Sequence, residues 1–253
     1  SDVYKRQNLP LGGYAPVVMA SDGTLFAGPA NRGVWKRDTA TQLWSQTGLG
    51  VGVIEDMWLE VTDTSLLLFA LDDKGRLYRS ADQGAAWAAF DHIFRVVSSD
   101  PIQTGHLIGV LEDRSIVTSN DAGDSWQSVG VLPEATYPQL AVALDKPGHY
   151  IITFGEIALR TIDFGQTWAE VPLPAASLSG YSTPVLYVGA RSRLYLLAYD
   201  NLHFSNDFGD SWQFSQIETT ISFTDLQRFD QETWLAGTLQ AGLFISKDNG
   251  ETW

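Results

Sequence analysis

The sequence predicts an all-β fold built from six copies of one four-stranded antiparallel unit. Three observations predict it. An octapeptide of the form Ser/Thr-x-Asp-x-Gly-x-x-Trp occurs five times, and a worn sixth copy precedes them. The tryptophans that close the copies stand at 44, 87, 126, 168, 212 and 253, so the repeat is 39 to 44 residues long. Between copies the chain breaks into short β-branched and aromatic runs cut by Gly, Asp, Asn and Pro. That is the pattern of strands and turns, and no stretch sustains a helical period.

The elements follow in order. The worn copy is residues 36–44 (KRDTATQLW), which keeps the aspartate and tryptophan but lacks the glycine. The clean copies are built on Ser80, Asp82, Gly84 and Trp87; on Ser119, Asp121, Gly123 and Trp126; on Thr161, Asp163, Gly165 and Trp168; on Ser205, Asp207, Gly209 and Trp212; and on Ser246, Asp248, Gly250 and Trp253. The third repeat shows the unit: strands over 94–99, 106–111 and 115–119, then the octapeptide, then a strand over 126–129. The fourth repeats it over 139–144, 150–154, 157–161 and 168–171, and the fifth over 184–188, 194–199, 202–205 and 212–214. Units of roughly 40–50 residues with four strands each read as the blades of a β-propeller, a single domain spanning residues 1–253.

The last unit has no residues after Trp253 to form a fourth strand. Residues 4–9 supply one if the ring closes at six blades. Against that, residues 2–7 (DVYKRQ) look like the translated end of a transposon-based sequencing adapter, which would stand outside the fold. A chain that stops inside its own motif also fits a piece of a ring of seven or more blades. Both counts stay open at this point.

Within the octapeptide each residue has a local task. The Ser or Thr hydroxyl and the Asp carboxylate accept hydrogen bonds from loop amides. The glycine permits a positive φ. The tryptophan opens the next strand and is expected to bury its ring between blades, with its N–H seeking a partner.

Composition narrows the function. The 253 residues are 44% apolar, enough for a core, and carry a net charge of −14. Such acidity argues against nucleic-acid binding and against docking on anionic lipid. There is no cysteine, which excludes disulfides, thiolate catalysis and thiolate metal sites. No apolar run is long enough for membrane insertion. His92, His106, His149 and His203 are scattered without ligand spacing, so no metal and no cofactor are expected. Neither a phosphate-binding Gly loop nor a G-x-S-x-G elbow occurs.

The octapeptide resembles the bacterial neuraminidase (BNR) repeat, or Asp-box, of the sialidase-like superfamily. The resemblance implies a propeller with its boxes on the outer rim, bracing the fold. It also implies that the functional face lies opposite, on the turns between second and third strands and on the loops entering each blade. Mapped here, those turns are 29–33 (PANRG), 72–75 (DDKG), 112–114 (EDR), 155–156, 200–201 and 239–242, and the entry loops include 133–138 and 174–184. Arg32, Arg114, Tyr137 and Tyr181 are the binding candidates on that face. Asp72, Asp73, Glu112, Asp113, Glu156 and Asp200 are the catalytic candidates if the chain is a glycoside hydrolase, which needs two carboxylates about 5–10 Å apart. Acids in tight turns equally serve to cap the backbone.

Two enzyme families share the repeat, and the chain departs from both. Sialidases carry an Arg-Ile-Pro and an arginine triad; no Arg-Ile-Pro occurs here, and nothing singles out three among Arg32, Arg95, Arg114, Arg191 and Arg193. Xyloglucan hydrolases resemble it in the degenerate first box, 33–44, but hold an acid in a segment like A-R-T-D-x-G-G. The matching residues 27–33 (AGPANRG) have none. Photosystem II assembly factors of the same class present an Arg-rich face, which this acidic chain does not show. The expectation is therefore a non-catalytic binding or scaffold module for a glycan or protein ligand. Bacterial surface proteins of the class place it outside the cytoplasm, secreted, periplasmic or on the cell surface. Trp58 and Trp234, outside the boxes, stand in strand-like runs where core packing is the default.

Overall fold

A computed structural model of the chain describes residues 16–50, 52–62, 65–133, 138–155, 157–174, 185–198, 201–215, 223–228, 230, 232–238 and 241–253. The chain falls into two compact units, Ser1–Phe94 and Arg95–Trp253. Among the described residues the regular structure is β-strand throughout, apart from one turn of 3-10 helix at Ala190–Ser192.

In the first unit, β1 (Val17–Met19), β2 (Leu25–Ala27), β3 (Trp35–Arg37) and β4 (Trp44–Gln46) pair antiparallel in sequence order. The same order joins β5 (Ile54–Val61), β6 (Leu66–Asp72), β7 (Arg76–Ser80) and the start of β8 (Ala88–Ser99). Consecutive antiparallel strands need only short connections, which the Gly, Asp and Asn positions of the repeat provide.

In the second unit the end of β8 leads β9 (Leu107–Leu111), β10 (Ser115–Ser119) and β11 (Gln127–Val131). A further four-stranded sheet holds β12 (Gln139–Val142), β13 (Tyr150–Phe154), β14 (Ile157–Thr161) and β15 (Ala169–Val171). Another holds β16 (Val185–Val188), β17 (Leu194–Ala198), β18 (Asn201–Ser205) and β19 (Gln213–Phe214). Three strands follow, β20 (Phe223–Arg228), β21 (Trp234–Thr238) and β22 (Leu243–Ser246). Residues 4–9, the expected closing strand, lie outside the described residues.

One expectation differs. A first strand over 94–99 was set apart from the strand that follows Trp87; instead Ala88–Ser99 is a single strand of twelve residues. The segment AAFDHIFRVVSS contains neither Gly nor Pro, so nothing in it forces the backbone to turn.

Burial follows the stacking of repeats. The second strands are buried on both faces: β6 from Leu67 to Asp72, and β13 along its whole length. Fourth strands are exposed, as in β19. Strands covered on both faces lose polar alternation, which is why LLLFALD and YIITF read as near-continuous apolar runs. Each core cluster draws on consecutive repeats. Phe26, Val34 and Leu49 of the first meet Ile54, Met57, Leu68 and Ala70 of the second. Ile108, Val110 and Ile116 of the third meet Tyr150, Ile152 and Phe154 of the fourth. Ala141, Ile151 and Ala158 pack on Leu194 and Phe208, and Tyr195, Leu197 and Phe204 pack on Leu226, Trp234 and Ala236. Trp234 is 1% exposed, a core position, whereas Trp58 is half-buried and stacks on the buried Phe69 with ring centroids 5.1 Å apart.

A buried titratable group accompanies this packing. His203 on β18 is 7% exposed and meets the Phe214 ring edge-on at 5.5 Å. Burial holds its imidazole below the usual value of 6.5. A histidine kept neutral by the fold contributes stability that is fully present above its unfolded value and is lost as pH falls through the depressed folded value. The urea midpoint of the chain is therefore expected to drop between pH 7.5 and pH 5. His203→Leu, which cannot titrate, is expected to narrow that drop, and an unchanged drop would assign it to other groups.

Candidate functional site

The octapeptide folds through hydrogen bonds that are almost all its own. In the fourth copy the Thr161 hydroxyl donates to Asp163 Oδ1 at 2.7 Å and accepts the Gly165 amide at 2.9 Å. Asp163 then accepts the Thr167 amide at 2.9 Å and the Thr167 hydroxyl at 2.6 Å. The Thr167 hydroxyl and amide hold the Asp163 carboxyl down to about 2. The same bonds recur around Asp121 and Asp207, with Ser125 and Ser211 in the part of Thr167. Asp248 receives the Thr252 amide and hydroxyl. Asp82 faces Ala86 and so accepts from that residue its amide without a hydroxyl, beside the Ser80 hydroxyl. The worn copy keeps the principle, with Asp38 accepting the amides of Ala40 and Thr41.

The glycine has two reasons. Gly165 sits at φ +85°, and a Cβ there would come within 2.9 Å of Val129 Cγ2 in the preceding repeat. The box therefore needs left-handed backbone and close approach at one position. Among the six tryptophans, Trp44 is buried and the others are half-buried, and Trp87, Trp168, Trp212 and Trp253 pack against core clusters that join consecutive repeats, as expected. Three of their N–H groups find partners, Gly84 O for Trp87, Pro172 O for Trp212 and Ser215 Oγ for Trp253, while Trp168 Nε1 has none among the described residues. In the fourth and fifth copies the residue before the box glycine adds to this interface. Phe164 lies 4.9 Å from the His106 ring, and Phe208 lies 6.1 Å from His149.

At the other end of each sheet are the turns between second and third strands. Asp72 closes β6 and is 7% exposed. Its Oδ1 accepts the amides of Lys74 at 3.0 Å and Arg76 at 2.8 Å, and its Oδ2 accepts the Tyr78 hydroxyl at 3.2 Å. This carboxylate braces its own turn. Asp73 beside it is exposed, with its amide donating to Val53 O. In the second unit Asp113 accepts the Ser115 amide at 2.9 Å, which, with the Ser115 side chain, holds its carboxyl below the usual range. Glu112 is exposed, and its carbonyl receives Nε and Nη2 of Arg95, each at 3.2 Å. Arg114, at φ +77°, donates from Nη1 to Pro133 O.

The structure thus brings Glu112, Asp113 and Arg114 to one turn and adds Arg95, which sequence reasoning did not single out. The signal was there only as an arginine at the start of a strand, 17 residues from its partner. In the first unit Arg32 is exposed, while its carbonyl receives Trp35 Nε1 and Gln46 Nε2. Glu156, Asp200, Tyr137 and Tyr181 lie outside the described residues. Among the described residues no three His, Asp or Glu side chains converge as a metal site requires.

No protein-family model matches the chain, and no curated protein matches it in sequence. Solved structures do. YCF48 from Cyanidioschyzon merolae matches over 96% of this chain and 85% of its own, at 12% identity and a TM-score of 0.69. A structure of YCF48 bound to D1 peptide matches over 97% and 82%, at 15% identity and a TM-score of 0.67. A GH74 xyloglucanase from Xanthomonas campestris matches over 96% of this chain at 16% identity and a TM-score of 0.70, and the chain spans 45% of that enzyme. At such identities the likeness is one of fold, and with the repeated octapeptide it makes the chain similar to the BNR/Asp-box β-propellers.

Proposed function

We propose that the chain is a non-catalytic propeller, its six repeats serving as blades, that binds a segment of another protein at the second-to-third-strand turns of the second unit. The observation that carries this reading is the occupation of the acids in such turns. Asp72 Oδ1 accepts two amides of its own turn and Oδ2 the Tyr78 hydroxyl, and Asp113 Oδ1 accepts the Ser115 amide. Such bonds hold a carboxylate to its own turn rather than leave it free to reach a substrate proton. Exposed at turn 112–114 of the second unit are two cations, Arg95 and Arg114. Guanidinium groups held partly by backbone carbonyls are preorganised to receive a carboxylate. The ligand is therefore a peptide bearing at least one acidic group. The similarity to YCF48, solved with D1 peptide bound, supports a protein ligand over a glycan.

The test pairs selection with turnover. Panning a random-peptide display library on the chain is expected to enrich acidic sequences. Arg95→Ala and Arg114→Ala are each expected to weaken a selected peptide about tenfold, the loss of one charge-assisted hydrogen bond. A panel of polysaccharides, xyloglucan included, is expected to release no reducing sugar. Release that disappears in Asp73→Asn, Glu112→Gln or Asp113→Asn, the exposed carboxylates among the described residues of these turns, would overturn the proposal in favour of a hydrolase.

A further inference from the structure

On the box side of the second unit, a cleft of about 550 Å³ opens between the third and fourth octapeptides. That is within the roughly 300–1,000 Å³ range of small-molecule sites. Its walls carry the half-buried rings of His106, Trp126 and Phe164, with the buried Tyr150 behind them. Three exposed amide side chains stand around them, Asn120, Gln127 and Gln166, with hydroxyl groups of Ser and Thr between. Among the described residues no Asp, Glu, Lys or Arg lines it.

The corresponding space two repeats on shows what this one lacks. There a cleft of about 660 Å³ lies between the fifth and sixth octapeptides and is lined by Arg191, Arg193, Glu232, Lys247, Asp248 and Glu251. Arg193 occupies it. It donates to Asn206 Oδ1 at 2.5 Å, to the Asn249 carbonyl and to Glu251 at 2.7 Å, and it lies over the Phe204 ring. Arg193 precedes strand β17 as His106 precedes β9, so the two hold equivalent places in the repeat. Where arginine ties adjacent boxes together, His106 only rests on Phe164. Its Nδ1 is buried with no partner among the described residues. This imidazole makes no hydrogen bond among the described residues, and it lines the cleft.

We propose that this cleft binds a neutral saccharide. Aromatic rings offer faces for the C–H side of a pyranose. Amide groups both donate and accept, as vicinal hydroxyls require. The absence of charge suits a ligand that carries none, in a chain that is otherwise strongly acidic. The site is separate from the second-to-third-strand turns, at the opposite end of its sheets, and does not rest on the peptide-binding proposal.

The test titrates the full chain with neutral tetrasaccharides of glucose, xylose and N-acetylglucosamine, and with sialyllactose as an anionic control, by calorimetry and tryptophan fluorescence. At least one neutral tetrasaccharide is expected to bind with a Kd in the micromolar to millimolar range, and sialyllactose to bind more weakly. The triple variant Asn120→Ala, Gln127→Ala, Gln166→Ala changes exposed side chains and should fold normally by circular dichroism. It is expected to lose at least about tenfold in saccharide affinity, the cost of a few hydrogen bonds, while still binding the selected peptides. Arg95→Ala with Arg114→Ala is expected to leave saccharide binding unchanged. No binding of any neutral tetrasaccharide up to about 10 mM, beyond the millimolar class of weak contacts, would overturn the proposal. Binding that survives the triple variant would overturn it equally.

Discussion

Asp100→Ala is expected to remove about 3–5 kcal/mol of stability, measured by urea denaturation at pH 7. The carboxylate is 2% exposed and lies in the connection between β8 and β9. Its Oδ1 accepts the amides of Ile102 at 2.9 Å and Gln103 at 3.0 Å, shaping that connection. Its Oδ2 reaches into the next repeat, where it accepts the Gly148 amide at 2.8 Å and the Tyr150 hydroxyl at 3.1 Å. Ile102 and Gln103 are exposed, so water can replace the carboxylate there. Gly148 and Tyr150 are buried, so alanine would leave two buried donors without acceptors. Each such orphan costs about 1–3 kcal/mol.

Two further variants separate this account from a loss of packing. Burial and the adjacent Asp100 carboxylate push the Tyr150 phenol far above its ordinary value, so the hydroxyl acts as a donor across the accessible pH range. Tyr150→Phe in the parent chain is expected to cost about 1 kcal/mol, one hydrogen bond. In the Asp100→Ala background the same change removes an orphaned hydroxyl and is expected to be neutral or stabilising. A double-mutant cycle with no coupling would show that the two groups do not meet. Asp100→Ala within 1 kcal/mol of the parent would remove the bridge between repeats from the account altogether.

What the sequence made legible divides by the range of the interaction. The boxes could be read because their bonds run two to four residues along the chain, as from Thr161 to Asp163 and Gly165. The strands Ser115–Ser119, Tyr150–Phe154 and Ile157–Thr161 have the expected bounds because Gly, Asp and the octapeptide delimit them. Asp100 could not be read this way. Its decisive partners stand 48 and 50 residues ahead, and nothing local distinguishes it from other turn acids. The contribution of Phe164 and Phe208 to the interface was hidden for the same reason, since both are variable positions of the box. The tryptophans drew attention by recurring, and most of them pack where consecutive repeats join. The turn acids were legible as residues, but which amides Asp72 and Asp113 accept is visible only in the structure.

Trp234→Ala is expected to cost about 3–5 kcal/mol, the range for deleting a large buried aromatic. The ring is 1% exposed, and its centroid is 4.4 Å from that of Tyr195 in the preceding repeat. Its Nε1 donates to Asn249 Oδ1 at 3.0 Å, an oxygen that also accepts the Tyr195 hydroxyl at 2.7 Å. The fit is close: a Cβ on Gly189 would stand 2.9 Å from Trp234 Cζ2. Alanine would open a cavity and also leave Asn249 with one donor fewer. Trp234→Phe, which keeps part of the volume and loses the N–H, is expected to cost about half as much. The location of the damage carries more information than its size. In a repeat array each unit is stabilised by its neighbours alone. Hydrogen exchange in Trp234→Ala should therefore rise in β16 to β22 while β9 to β14 stay protected. In Asp100→Ala the weakened amides should be those of β9 to β14. If exchange instead rises evenly from β9 to β22 in both variants, the repeats of the second unit unfold as one cooperative body, and coupling between neighbours is too strong for either contact to act locally.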